Sequence, residues 1–176
     1  MIFSASTLEG AFVIALDRKE DARGYFARTF CVEEFEAHGL NPRVVQCNMS
    51  FNRRKGTLRG MHWQVQPRAE AKLVRVTRGA IHDVIVDLRP ESPTRLQHFA
   101  VDLTAENGRM LYIPEGFAHG FQTLAENTEV FYQMSEFYAP EHARGARWND
   151  EAFGIEWPLP DPIMSERDQA WPDFAQ

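Results

Sequence analysis

The chain reads as an all-β protein, a sandwich or barrel of short strands. Short runs of β-branched and aromatic residues follow one another closely, turn-forming clusters separate them, and helical periodicity is confined to one brief segment. The strand candidates are, in order, "AFVIAL", "YFARTF", "RVVQCNMSF", "TLRGMHWQ", "KLVRVT", "AIHDVIVDL", "QHFAVDL", "RMLYIP", "HGFQTL" and "TEVFYQMSEFY". Between them lie "DARG", "TRGA", "RPESPT", "AENG" and "PEG", where Gly, Pro, Asn and Asp supply turn conformations. "CVEEFEAHG" (31–39) has a helical period closed by Gly39, and "WPLPDPIMSERDQAWPDF" predicts an extended tail with one helical turn.

Composition narrows the class of protein. At 176 residues, 44% hydrophobic and 12% aromatic, the chain suits a single domain spanning 1–176 with a core of its own. The net charge of -6 lacks the basic excess that nucleic-acid binding uses, and no run of apolar residues is long enough to span a membrane. "MIFSASTLEGAF" has no signal-peptide pattern, and Cys31 and Cys47 form neither a zinc pattern nor a disulfide framework. The expectation is a cytoplasmic protein.

Strand parity selects polar residues that share a face with apolar ones. Lys72 travels with Val74 and Val76, Tyr132 with Val130 and Met134, and Asp83 with Ile81 and Ile85. Alone, such a lysine snorkels to a rim and such a tyrosine fills core. Convergence of several in one barrel would instead mark function, because buried polar groups are costly.

Two segments resemble the paired motifs of the cupin superfamily, small jelly-roll β-barrels that often hold a metal. "GRMLYIPEGFAHGFQT" carries Gly108, Pro114, Gly116 and His119 at the second motif's spacing, and Gly56, His62 and Gly79 fit the first. Gln64 stands where the first motif's second histidine would be, and Glu70 does not restore the carboxylate. Two histidines fall short of the usual three or four protein ligands, so the reading is metal-free.

Over nearly its whole length the sequence resembles the dTDP-4-dehydrorhamnose 3,5-epimerase family, through "DARGYF", "GTLRGMHWQ", "AKLVRVTRG", "SPT", "IPEGFAHGF", "YAPE" and "WNDEAFGIEWP". The resemblance implies a homodimeric, cofactor-free cupin that inverts carbons beside the C4 ketone of a nucleotide-linked 4-keto-6-deoxyhexose. It implies His62 as base, Tyr132 as acid and Asp168 as the partner of His62. Lys72, Arg59 and His119 would line the sugar and diphosphate site. Arg23, Gln46 and Asn48 would reach the nucleotide, Tyr138 would stack on its base, and Arg167 would also bind substrate. The chemistry is coherent: an enolate forms beside the ketone, imidazole titrates near neutrality, and a lysine can stabilise the enolate oxygen.

Two positions depart from the family pattern. Arg28 replaces a glutamate on the nucleotide side and still counts among the substrate-binding candidates, and Ala143 replaces an acidic residue. A CDP- or GDP-linked sugar, or inversion at only one of C3 and C5, is therefore an alternative. A noncatalytic sugar-nucleotide binder and a 3,4-ketoisomerase are two others. Strict alternation puts Arg59 and His62 on opposite faces, so a shared role predicts an irregularity at Gly60. Asp83 is the second candidate partner for His62.

Overall fold

The computed structural model describes residues 1–174. Its elements are β1 (Ile2–Ala5), β2 (Phe12–Ala15), β3 (Lys19–Asp21), β4 (Gly24–Phe26), α1 (Val32–Ala37), β5 (Gln46–Asn52), β6 (Leu58–Gln64), β7 (Lys72–Arg78), β8 (Ala80–Asp87), β9 (His98–Thr104), β10 (Met110–Ile113), β11 (Phe117–Thr123), β12 (Thr128–Met134), β13 (Ala143–Gly145) and α2 (Glu166–Gln169). One sheet runs β1-β2-β10-β7-β12-β5, a second runs β13-β6-β11-β8-β9, and β3 and β4 form a separate hairpin. The strands within each sheet pair antiparallel, and the two large sheets pack as a jelly roll. Among the described residues no helix is long and apolar enough to cross a membrane.

Alternation sorts the side chains into three apolar layers. Val74, Val76, Leu111, Ile113 and Val130 from the first sheet meet Ile81, Ile85, Leu103, Phe117 and Phe121 from the second between the sheets. The outer face of the first sheet is covered by Phe35 of α1 and by Leu40, which pack on Ile14, Leu73, Met110 and Tyr112. The tail covers the outer face of the second sheet, where Phe153, Trp157 and Phe174 pack near Met61, Val84, Val86 and Ala118. β8 is thus buried on both faces, which explains its nearly unbroken apolar run.

The segments at β1, β3, β4 and β13 differ from the sequence reading. "YFARTF" yields only the three-residue β4, because Tyr25 and Phe26 are 51% and 76% exposed and find no core in this chain to pack against. β1 has too short an apolar pattern to announce itself. β13 has none, and exists because Ala143, Arg144 and Gly145 pair with Gln64, Trp63 and His62 on the edge of β6.

The loop after β8 is organised around a buried charge. Asp87 is fully buried and accepts hydrogen bonds from Arg89 Nε at 2.9 Å, Arg89 Nη2 at 2.8 Å, Thr94 Oγ1 at 2.8 Å and Ser92 Oγ. Burial pushes its carboxyl up, but these donors together outweigh burial and bring it down to about 2. A depressed folded-state value contributes stability above the unfolded value of 3.8 that is lost as pH falls toward 2. Asp87→Asn should therefore cost about 2 kcal/mol at pH 7. Urea unfolding at pH 7 and pH 3 checks this, and the gap from wild type should narrow at the lower pH.

Candidate active site

The site begins with a break in strand pairing. His119 on β11 pairs with His62 on β6, yet Phe121 pairs with Arg59, so three steps along β6 oppose two along β11. Gly60 supplies the bulge. Its φ is +142°, a region that side chains other than hydrogen rarely occupy, and its peptide to Met61 is cis. A Cβ on Gly60 would stand 2.5 Å from Gly120 Cα on the facing strand. The extra residue resets the alternation, so Arg59 and His62 both line the cavity between the sheets while Met61 is buried in the outer layer.

Two cavities of about 580 and 420 Å³ adjoin there, sharing Met49, Arg59, His62, Lys72, Tyr132 and Asp168 in their walls. Asp168 arrives on α2, whose N-cap Ser165 accepts the Asp168 amide at 3.1 Å. The tail before it is tied down by Leu58 N donating to Ile163 O and Ile163 N donating to Gly56 O, both at 2.9 Å. The Asp168 carboxylate lies 2.6 Å from His62 Nε2. Burial pushes the Asp168 carboxyl up, but hydrogen bonding and the charge of His62, with help from Ser165 and Trp171, hold it below the ordinary value. Asp83 is fully buried on the inner face and takes a different histidine, lying 2.7 Å from His119 Nε2. The cavity thus has two His–Asp pairs.

Lys72 is 8% exposed, and its ammonium bonds Glu70 Oε1 at 3.1 Å. Tyr132, on the opposite sheet from His62, has its phenol pushed up by burial, with the charge of Arg59 working the other way. Arg59 Nε donates to Asn52 Oδ1 at 2.8 Å. Gln46, Asn48, Tyr138 and Arg167 line the outer part of the larger cavity, and Gln46 Oε1 accepts the Tyr138 amide at 3.2 Å. Gln64, at the missing metal-ligand position, donates to Arg68 O at 2.7 Å and Phe137 O at 3.2 Å and accepts from Ala139 N at 2.6 Å. Its amide is committed to holding the loop before β13. Among the described residues no group of three or more His, Cys, Asp or Glu side chains is placed to hold a metal ion.

The family model for dTDP-4-dehydrorhamnose 3,5-epimerase matches residues 5–176. The chain belongs to the dTDP-4-dehydrorhamnose 3,5-epimerase family. It is an epimerase of the isomerase class with a cupin-like jelly roll. It is 45% identical to the dTDP-4-dehydrorhamnose 3,5-epimerase of Methanothermobacter thermautotrophicus over 96% of this chain and 92% of that one. The crystal structure of the Bacillus anthracis enzyme with TDP and PPi bound superposes with a TM-score of 0.95 at 39% identity, covering 98% of this chain and 99% of the other. A 3'-monoepimerase from Streptomyces bikiniensis in complex with dTDP-quinovose superposes at 0.87 and 32% identity, covering 96% and 85%.

Within this epimerase fold, ten of the twelve residues singled out from the sequence line the two cavities: His62, Tyr132, Asp168, Lys72, Arg59, His119, Gln46, Asn48, Tyr138 and Arg167. Arg23 and Arg28 do not. Arg23 sits at the turn of the β3–β4 hairpin, exposed and bonded to Asp21 at 2.6 Å. Arg28 pairs with Glu34 at 2.8 Å beside α1. Sequence reading missed Glu70 as the partner of Lys72, although residues 70 and 72 share parity and the pairing was available to it. Also in the cavity wall are Trp63, which lies within "GTLRGMHWQ" but was given no role, and Arg144 and Trp171, which carry no motif.

Gly60→Ala should cost about 2 kcal/mol or more, from the positive φ and the contact with Gly120. Epimerisation should fall at least tenfold even at temperatures where the protein stays folded, because Arg59 and His62 lose their common wall. Thermal unfolding and product assay on the same sample check both.

Proposed function

We propose that this epimerase inverts both C3 and C5 of a dTDP-linked 4-keto-6-deoxyhexose, with His62 as base and Tyr132 as acid. The observation that carries the reading is their placement: His62 on β6 and Tyr132 on β12 reach one cavity from opposite sheets. Inversion needs a proton removed from one face of a carbon and returned to the other. Asp168 on Nε2 leaves Nδ1 of His62 to accept the proton, and the carboxylate stabilises the imidazolium that forms. Burial favours the protonated phenol of Tyr132, which is the form an acid needs. Lys72, buried beside them, stabilises the enolate oxygen. Both carbons flank one ketone, so one cation serves either.

The dTDP assignment rests on relatives named for that nucleotide and on the TDP bound to the Bacillus anthracis enzyme. Arg28 lies outside the cavity of its own chain, two residues beyond β4, so its bearing on nucleotide choice runs through the neighbouring subunit. A single inversion at C3 is the second reading, favoured by the likeness to the Streptomyces bikiniensis monoepimerase. Arg23 and the exposed Phe26 on the β3–β4 hairpin support a homodimer in which this hairpin serves the neighbouring subunit. Two free cysteines are consistent with work in the reducing cytoplasm.

In D2O with the dTDP-, CDP- and GDP-linked 4-keto-6-deoxyhexoses, NMR should show deuterium at C3 and C5 with inversion of both for the dTDP sugar. Label at C3 alone supports the monoepimerase, and preference for CDP or GDP overturns the nucleotide assignment. His62→Ala should lower exchange by about a thousandfold. Tyr132→Phe should still exchange protons through His62 while forming little inverted product. In sedimentation experiments the wild type should run as a dimer and Phe26→Asp as a monomer; a monomeric wild type overturns the proposed assembly.

A further inference from the structure

Four basic side chains share the wall of the smaller cavity: Arg59, His62, Lys72 and His119. Three of them face a carboxylate, since His62 lies 2.6 Å from Asp168, Lys72 3.1 Å from Glu70 and His119 2.7 Å from Asp83. Arg59 is the exception. Among the described residues its one side-chain hydrogen bond runs from Nε to Oδ1 of Asn52, a neutral amide, and both of its Nη groups are left for a ligand. Arg59 is also exposed, whereas the side chains of Lys72 and His119 are 10% and 12% exposed and lie deeper.

Asn52 is built to hold that bond. It is 2% exposed and ends the row that β5 turns inward, after Gln46, Asn48 and Ser50. Its Nδ2 lies 3.3 Å from Ser50 O, from Ser50 Oγ and from Thr128 O. Turned over, the amide would set its N–H groups against Arg59 Nε and its oxygen against two carbonyls, so one orientation is selected. Thr128, the pairing partner of Asn52, is fixed in turn: its Oγ1 donates to Ala125 O at 2.9 Å, and it fills a space beside Gly79 that a Cβ there would overlap. Through Asn52 the edge of one sheet thus grips Arg59 on the other.

We propose that Asn52 is a positioning residue that aims the Arg59 guanidinium at the diphosphate of the nucleotide sugar, its neutrality leaving the charge of Arg59 uncancelled for that group. The role rests on the nucleotide-sugar reading above. A guanidinium held at Nε keeps one plane, and its Nη groups then match two phosphate oxygens in parallel. The hexose goes inward to Lys72 and Tyr132, so the charged linker behind it stays with the more exposed cation. Epimerisation leaves the diphosphate unchanged. The contact is therefore equal in ground and transition states, and its loss belongs in KM and not in kcat.

The test measures dTDP affinity by isothermal titration calorimetry, with kcat and KM for the dTDP sugar, in wild type, Asn52→Ala, Asn52→Asp, Arg59→Ala and the double variant Asn52→Ala with Arg59→Ala. Asn52→Ala should weaken dTDP and raise KM about tenfold, the effect of one oriented hydrogen bond, with kcat within about twofold. Asn52→Asp should weaken dTDP at least as much, because it keeps an acceptor on Nε but adds an opposing charge. The double variant should bind dTDP no worse than Arg59→Ala, since an anchor without its guanidinium has nothing to aim. Thermal unfolding sets an assay temperature at which every variant is folded. Undiminished dTDP affinity in Asn52→Ala would overturn the proposal. So would a loss that recurs in full on top of Arg59→Ala, which would mean that Asn52 only packs, or a fall in kcat with dTDP affinity intact, which would put Arg59 at the reacting carbons. A wild type that prefers CDP or GDP overturns the dTDP reading instead, and the same cycle with that nucleoside diphosphate then decides the role of Asn52.

Discussion

The site depends on how closely two glycines approach. Gly60 and Gly120 meet across β6 and β11 with no space for a side chain on either, since a Cβ on Gly120 would in turn stand 2.6 Å from Met61 Sδ. Antiparallel strands normally keep alternate residues on alternate faces, which would give the cavity either Arg59 or His62. The extra residue at the bulge gives it both, and sends Met61 outward into the layer beneath the tail. An arginine and a histidine thus share one wall because two side chains are missing behind them.

Around that wall the interior carries more charge than a barrel core tolerates unless each group is matched. Asp168 faces His62, Asp83 faces His119, and Glu70 faces Lys72. Each pair joins an acidic residue to a group that can carry positive charge, whereas Arg59 in the same wall bonds the neutral amide of Asn52. The tail contributes to two layers at once: its aromatic residues seal the outer face of the second sheet, and α2 brings Asp168 to the mouth. Loss of the tail would therefore affect packing and chemistry together.

Much of this was legible in the sequence, for identifiable reasons. Period-two alternation placed Lys72, Tyr132 and Asp83 on the inner face, and the structure has each in the wall of the cavity or buried beside it. Gly60 between two residues of opposite parity signalled the bulge. Which histidine Asp83 would meet could not be read, because register between β8 and β11 is a property of the pair of strands; Phe121 falls opposite Asp83 and His119 opposite Ile85. Trp171 was illegible for a different reason: it contacts β13, a strand that exists only by pairing and carries no pattern of its own. Arg23 and Arg28 were singled out by resemblance alone, and nothing in one chain's local pattern says where a protruding hairpin comes to rest.

Gln64 bears on what could be built in this scaffold. In a metal-holding barrel its position would point a ligand inward, and exchanging it for histidine looks like a one-step route to a metalloenzyme. Here the side-chain amide grips Arg68, Phe137 and Ala139 through three hydrogen bonds. Imidazole has two ring nitrogens and cannot reproduce that grip. The loop so released bears Tyr138, so a designer seeking a metal centre would first have to re-anchor the segment that closes the outer cavity.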